Sequence, residues 1–181
     1  MRRCVESVAS WADGAGWDHE VVGDELFDLA PGHTGLPATD VARLVLLAER
    51  LEGGRPLVLW LDADVLVFRP AVLAPAPDPL AVCHEVWLTP TRAVELVCNA
   101  ALSATSVDAV RSLLEDTLDT PVLGHRSLGP DLLTVRQRTA PLPTVPGVGV
   151  LSPYALRHLD EQPDLVRLGA VNLCASMLEV R

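Results

Sequence analysis

The chain has 181 residues, with 24 acidic and 14 basic side chains, a formal charge of −10 and 49% hydrophobic residues. That is apolar matter enough for the core of one compact domain, and the wrong field for a general nucleic-acid binder, which must face phosphates with positive charge. Every basic residue is an arginine, so Schiff-base catalysis, a Walker-A phosphate lysine and a kinase-type lysine are excluded.

In chain order, residues 2–12 predict a helix with Val5, Val8 and Ala9 on one face. Trp17–Val22 reads as a short strand and Asp24–Leu29 as a helical turn. A helix is expected over Thr39–Leu51, opened by capping residues after Pro37 and stopped by Gly53-Gly54. Leu57–Leu61 is an unbroken apolar run, which predicts a central strand covered on both faces. Pro70–Pro79 is a proline-alanine loop. Strands are expected at Leu80–Val86, Leu96–Ser103, Val145–Val150 and Val166–Leu173, and helices at Val107–Leu118, Pro130–Arg136 and Pro153–His158. Alternating elements around a buried strand point to a layered α/β/α fold, expected as one domain over residues 1–181.

The four cysteines, Cys4, Cys83, Cys98 and Cys174, are scattered without CxxC or Cys/His ligand spacing, so reduced, mostly buried thiols in a cytoplasmic protein are expected. The N-terminus is basic but acquires Glu6, Asp13 and Asp18 in place of an apolar stretch, so no signal peptide is expected. The longest uncharged stretch, Thr139–Leu156, is broken by Pro141, Pro143, Pro146 and Pro153, so no transmembrane segment is expected either.

The chemistry concentrates in Leu57–Pro70, LVLWLDADVLVFRP, where a hydrophobic strand delivers Asp62 and Asp64 at its C-terminal end. In extended geometry, residues two apart point the same way, roughly 6–7 Å apart. Two such carboxylates repel unless a cation joins them, and Mg²⁺ or Mn²⁺ suits oxygen ligands while keeping positions for phosphate. The plain alternative is a pair that caps a turn. Asp40 and Arg43 share a face of the preceding helix, with Arg43 embedded in Val41-Ala42-Arg43-Leu44-Val45. A guanidinium in that setting needs an anionic partner. The candidates are Asp40 itself, in the favoured first turn, or a DxD carboxylate or bound ligand.

The block Thr39–Pro70, with D-x-x-R, an apolar helix, Gly-Gly, an apolar strand and D-x-D, resembles the DxD glycosyltransferases of the GT-A fold. It looks most like the group of initiating α-1,6-mannosyltransferases, capsular polysaccharide sugar transferases and the catalytic domains of the large clostridial glucosylating toxins. Val97-Cys98-Asn99-Ala100, Gly129-Pro130-Asp131-Leu132-Leu133-Thr134 and Ala170–Ser176 resemble later segments of that family. The resemblance implies a GT-A three-layer α/β/α sandwich, begun here at the helix that follows the family's first strand. It implies a nucleotide-diphospho-sugar donor, a glycan or lipid-linked acceptor and a retaining, metal-dependent transfer. Asp62 and Asp64 would hold Mn²⁺ or Mg²⁺, with Asn172 as a third, weaker ligand. Asp40, Arg43, Asp62 and Asn99 would contact the donor, and Arg43, Asp62 and Asp64 would carry the chemistry.

Two other readings remain beside it. One is a catalytically silent GT-A-like domain that binds a sugar nucleotide or a partner. The other is a haloacid-dehalogenase-like phosphatase, whose nucleophile also follows a strand in a D-x-D context. The phosphatase would also need a lysine that this chain lacks. Glu85, after His84, reads as a strand-end residue that could face a sugar site. His125-Arg126-Ser127-Leu128-Gly129 reads as a loop rather than a nucleophile elbow.

Overall fold

The computed structural model describes residues 1–89, 91–152, 154 and 168–174. The protein is a mixed α/β layer structure with one six-stranded sheet. Helix α1 spans Arg2–Ala15 and stops at Gly16, whose φ of 73° is the left-handed conformation glycine adopts without penalty. After a 3₁₀ turn at Asp24–Leu29 comes α2, Gly35–Glu52. It begins four residues before the expected start, because Pro37 lies in the first turn, where its missing N–H costs nothing. Strands β1 (Val58–Leu61) and β2 (Val65–Val67) flank the DxD segment. A long hairpin, β3 (Leu80–Thr89) and β4 (Arg92–Ala104), precedes α3 (Val107–Asp119). A wide helical turn at Ser127–Asp131 leads into α4 (Leu132–Thr139), then β5 (Thr144–Leu151) and β6 (Ala170–Asn172). The predicted helix at Pro153–His158 lies outside the described residues, Tyr154 excepted.

The strand order is β1-β4-β3-β5-β6-β2. The β3–β5 and β5–β6 pairs are parallel, and β4 and β2 are antiparallel to their neighbours. Helices cover both faces. Trp11 and Ala12 of α1 pack with Ala81, Cys83, Val145 and Val148 on one side. Leu44 and Leu47 of α2, Val110 and Leu113 of α3 and Leu133 of α4 pack with Leu80, Val82 and Leu102 on the other. Among the described residues, no helix is long and apolar enough to cross a membrane.

Two expectations are corrected. The apolar run Leu57–Leu61 is not a central strand: among the described strands β1 pairs with β4 alone, and all four of its residues are half-buried. Its apolarity is explained by its two faces, since Val58 and Trp60 pack towards α2 while Leu59 and Leu61 pack towards α1. A strand with both faces covered and one edge unpaired reads in sequence like an interior strand. Trp17–Val22 is not a strand at all. Only its ends are apolar anchors, Trp17 stacking on Trp11 and Val22 meeting the cluster beneath α2. Between them Asp18 and Glu20 turn outward to Arg55 and Arg50.

Candidate functional site

Strand β1 ends at Leu61, and the chain turns at once. The Asp62 N–H donates to the Ala100 carbonyl at 2.9 Å, and the Val65 N–H donates back to the Asp62 carbonyl at 2.9 Å. Ala63 and Asp64 thus form a tight turn between β1 and β2, and the expected extended i, i+2 geometry is not what holds the pair. The chain reverses at this turn, since β2 pairs antiparallel with β6 while β6 runs in the same sense as β1. The effect of the turn is to give the two carboxylates different neighbours.

Asp62 faces α2. Its Oδ1 accepts from Arg43 Nη1 at 3.0 Å and from Trp60 Nε1 at 2.7 Å. Arg43 is 4% exposed and engaged on every side: Nε donates to the Thr39 carbonyl at 3.1 Å, Nη1 to the Asn99 carbonyl at 2.6 Å, and Nη2 lies 3.4 Å from Asp40 Oδ1. Its guanidinium also stands over the Trp60 ring, 5.5 Å from the centroid. The two partners weighed from sequence, Asp40 and a DxD carboxylate, are therefore both present. Asp40 does not sit in the first helical turn, because α2 starts at Gly35; the Arg43 guanidinium compensates it first, and Asn99, whose Nδ2 donates to Asp40 Oδ1 at 2.8 Å, adds to that.

The backbone carbonyl of Asn99 can reach Arg43 because the hairpin slips its register. Val82 pairs with Leu102 but Cys83 pairs with Cys98, so Asn99, Ala100 and Ala101 bulge out of the β3 pairing. Such irregularities re-aim groups beside functional sites. The Ser127–Asp131 turn closes the lattice from outside. A Cβ on Gly129 would lie 2.7 Å from Asn99 Nδ2 and 3.0 Å from Asp40 Oδ1, so only glycine allows this approach. Thr134, the end of the same motif, instead donates to the Val97 carbonyl from α4.

Asp64 faces the other way, towards β6. Asn172 Nδ2 donates to Asp64 Oδ1 at 2.6 Å, and the Leu173 N–H donates to the Asp64 carbonyl at 3.1 Å. The Asn172 amide oxygen accepts the Cys174 N–H at 2.7 Å, which holds Cys174 at a left-handed φ of 47°. With both ends of its amide engaged, Asn172 acts as a clasp on Asp64.

A third group lies on the same carboxyl edge of the sheet. Glu85 on β3 is 2% exposed, and Arg126 Nη2 stands 3.4 Å from both of its oxygens, while Arg126 Nε stands 3.4 Å from Asp131 Oδ1. The Cys174 thiol links the groups electrostatically. It is pushed up to about 12, first by burial and then by the charges of Asp64, Glu85 and Cys98, with Arg126 opposing. From sequence, Glu85 is a strand-end residue that could face a sugar site and Arg126 is part of a loop; the signal for Glu85 is an acidic residue inside the largely apolar stretch Leu80–Leu88.

The electrostatics are those of a carboxylate-rich, poorly solvated edge. Burial raises the pKa of Asp62, with Arg43 and Trp60 pulling it down and Asp64 and Asp40 adding to the rise. Burial likewise raises Asp40, against Arg43 and Asn99, and Glu85, against Arg126. Among the described residues, no three His, Cys, Asp or Glu side chains gather around one point. Asp62 and Asp64 point to different neighbours, so a hard cation between them would have to draw both carboxylates to itself. They are two mutually repelling carboxylates on one turn, and an Mg²⁺- or Mn²⁺-type ion completes its shell with water and phosphate. A cleft of about 430 Å³ beside α4, lined by His84, Glu95, Val97, Thr134, Gln137 and Arg138 among others, contains none of these groups. No protein-family model, curated protein or solved structure matches the chain.

Proposed function

We propose that the protein is a metal-dependent glycosyltransferase of the GT-A type, moving a sugar from a nucleotide-diphosphate donor to a glycan or lipid-linked acceptor. The observation that carries this reading is the joining of Asp62 to Asp40, Arg43 and Asn99. Residues from β1, α2 and β4 meet in one hydrogen-bonded lattice at the carboxyl edge of the sheet, where open α/β sheets take their ligands. Asp62 and Asp64 would hold Mn²⁺ or Mg²⁺, with Asn172 fixing the rotamer of Asp64. When bound, that ion supplies Lewis-acid neutralisation of a departing diphosphate.

The chain's own residues do the rest. Arg43 and the Trp60 indole N–H hold one oxygen of Asp62 in a single direction, so its carboxylate is preorganised before a ligand arrives. Asp40, Arg43 and Asn99 are 5%, 4% and 8% exposed. They therefore act on the donor mainly through Asp62, and Arg43 is a positioning residue. The carboxylates also favour the positive charge that builds on the anomeric carbon in an oxocarbenium-like state. Retention of configuration is inherited from the resemblance.

A second reading, a silent sugar-nucleotide-binding domain, is favoured by one observation: the described sheet ends at β1, the strand that presents the aspartates. Calorimetric titration with UDP- and GDP-sugars, with and without Mn²⁺, separates the two. The transferase reading expects Mn²⁺-dependent binding that Asp64→Ala abolishes, with turnover of the donor. Binding without turnover selects the silent domain. Phosphatase activity lost in Asp62→Asn, with no nucleotide affinity, would remove both.

A further inference from the structure

The chain has no lysine, so any fixed positive charge for a diphosphate must come from arginine. Arg43 does not meet that need. Its side chain is 5% exposed, its contacts include bonds of 2.6 and 3.0 Å, and taking a phosphate would strip Asp40, Asp62 and the Asn99 carbonyl of their cation. A buried guanidinium so engaged is costly to withdraw.

Arg126 differs in each respect. Its side chain is 36% exposed, and its contacts to Glu85 and Asp131 are all 3.4 Å, long for charge-assisted bonds, which run about 2.7–2.9 Å. It stands immediately before the turn whose Gly129 touches Asn99 and Asp40, so its backbone is tied to the lattice that holds Asp62. Burial lowers the pKa of Arg126, but the charges and bonds of Glu85 and Asp131 outweigh it, so the group is held charged while it waits.

We propose that Arg126 is the residue that receives the diphosphate of the donor, and that Glu85 and Asp131 are the carboxylates it leaves on binding. The proposal rests on the transferase reading for the identity of the ligand, but not for the anion site itself. Glu85 is fixed in the sheet and orients the guanidinium from below, while Asp131 competes with the ligand from the solvent side. A guanidinium matches phosphate oxygens in a bidentate manner.

The test is calorimetric titration of the full chain with inorganic pyrophosphate in EDTA, followed by UDP- and GDP-sugars with Mn²⁺. Wild type should bind pyrophosphate without metal, and Arg126→Gln should weaken that binding about tenfold or more. Asp131→Asn removes an exposed competitor and should tighten binding about two- to threefold. A purely structural ion pair would not give that gain, so an unchanged or weakened Asp131→Asn overturns the proposal; this arm decides if Arg126→Gln fails to fold by circular dichroism. Absence of pyrophosphate binding to wild type, or equal binding by a folded Arg126→Gln, also overturns it. Mn²⁺-dependent sugar-nucleotide binding that persists unchanged in Arg126→Gln leaves the transferase standing and this inference fallen. Pyrophosphate binding lost in Arg126→Gln, with no sugar-nucleotide affinity in wild type, does the reverse.

Discussion

Among the described residues, two arginines at the carboxyl edge of the sheet make opposite use of the same chemistry. Arg43 is sealed between α2, β1 and β4, with contacts down to 2.6 Å and an aromatic ring beneath it. Arg126 is half-open, spans two carboxylates at 3.4 Å and stands on a loop. The first cannot leave without exposing buried charge, so it organises; the second can change partners, so it is the one available to a ligand. Burial and bond length, rather than residue type, distinguish scaffold from contact.

The contrast can be broken at several points. The largest effect is expected from Arg43→Ala, which leaves the buried Asp40 and the partly buried Asp62 without their cation and should cost about 3–5 kcal/mol in urea or guanidinium titration. A loss under about 1 kcal/mol would show that the lattice is not sealed. Next comes Gly129→Ala, whose Cβ would meet Asn99 Nδ2 at 2.7 Å. The overpacking should cost about 1–3 kcal/mol, read as a lowered melting temperature. Should Gly129→Ala melt like wild type, the turn does not press on the lattice.

Glu85→Gln tests the open side through pH. Its folded-state pKa lies above 4.5, chiefly because of burial. Its stabilising share is therefore complete below the unfolded value and is lost as pH rises through the folded one. Melting temperatures of Glu85→Gln should decline less than those of wild type as pH rises from about 4.5 into the neutral range. Parallel pH curves would mean that Glu85 ionises as an ordinary carboxylate. The smallest effect is expected at Arg50, which pairs with Glu20 on the surface at 2.7 Å. Arg50→Ala should change stability by less than about 1 kcal/mol, and by less still at high salt.

The sequence pattern carried the helices well. The expected segments over 2–12, 39–51 and 107–118 all lie within observed helices, because amphipathic period, cap residues and stop glycines are local signals. Strand membership was legible for β1, β3, β4, β5 and β6 but not for β2 or for Trp17–Val22, and strand placement was not legible. The run LVLWL states that both faces of β1 are covered, but says nothing of whether both edges are paired. The short β2 was hidden for the same reason, since Val65–Val67 becomes a strand only because β6 returns beside it. Within the site, the spacing of Asp40 and Arg43 on a helix and the position of Asp62 after a strand were readable. The register slip that turns the Asn99 carbonyl towards Arg43 was not, because a bulge is a property of two strands at once.

The sequence by itself determined the mixed α/β class, the absence of lysine chemistry, and the clustering of carboxylates and one buried arginine around the end of β1. These follow from composition and from short-range periodicity, which each segment carries alone. Only the tertiary structure decided that Asp62 and Asp64 diverge through a tight turn, that Asn172 clasps Asp64 across 108 residues, and that Arg126 rather than Arg43 keeps a guanidinium near solvent. Those facts depend on which distant elements meet at the sheet edge, and burial there sets the cost of withdrawing each charge from its partners.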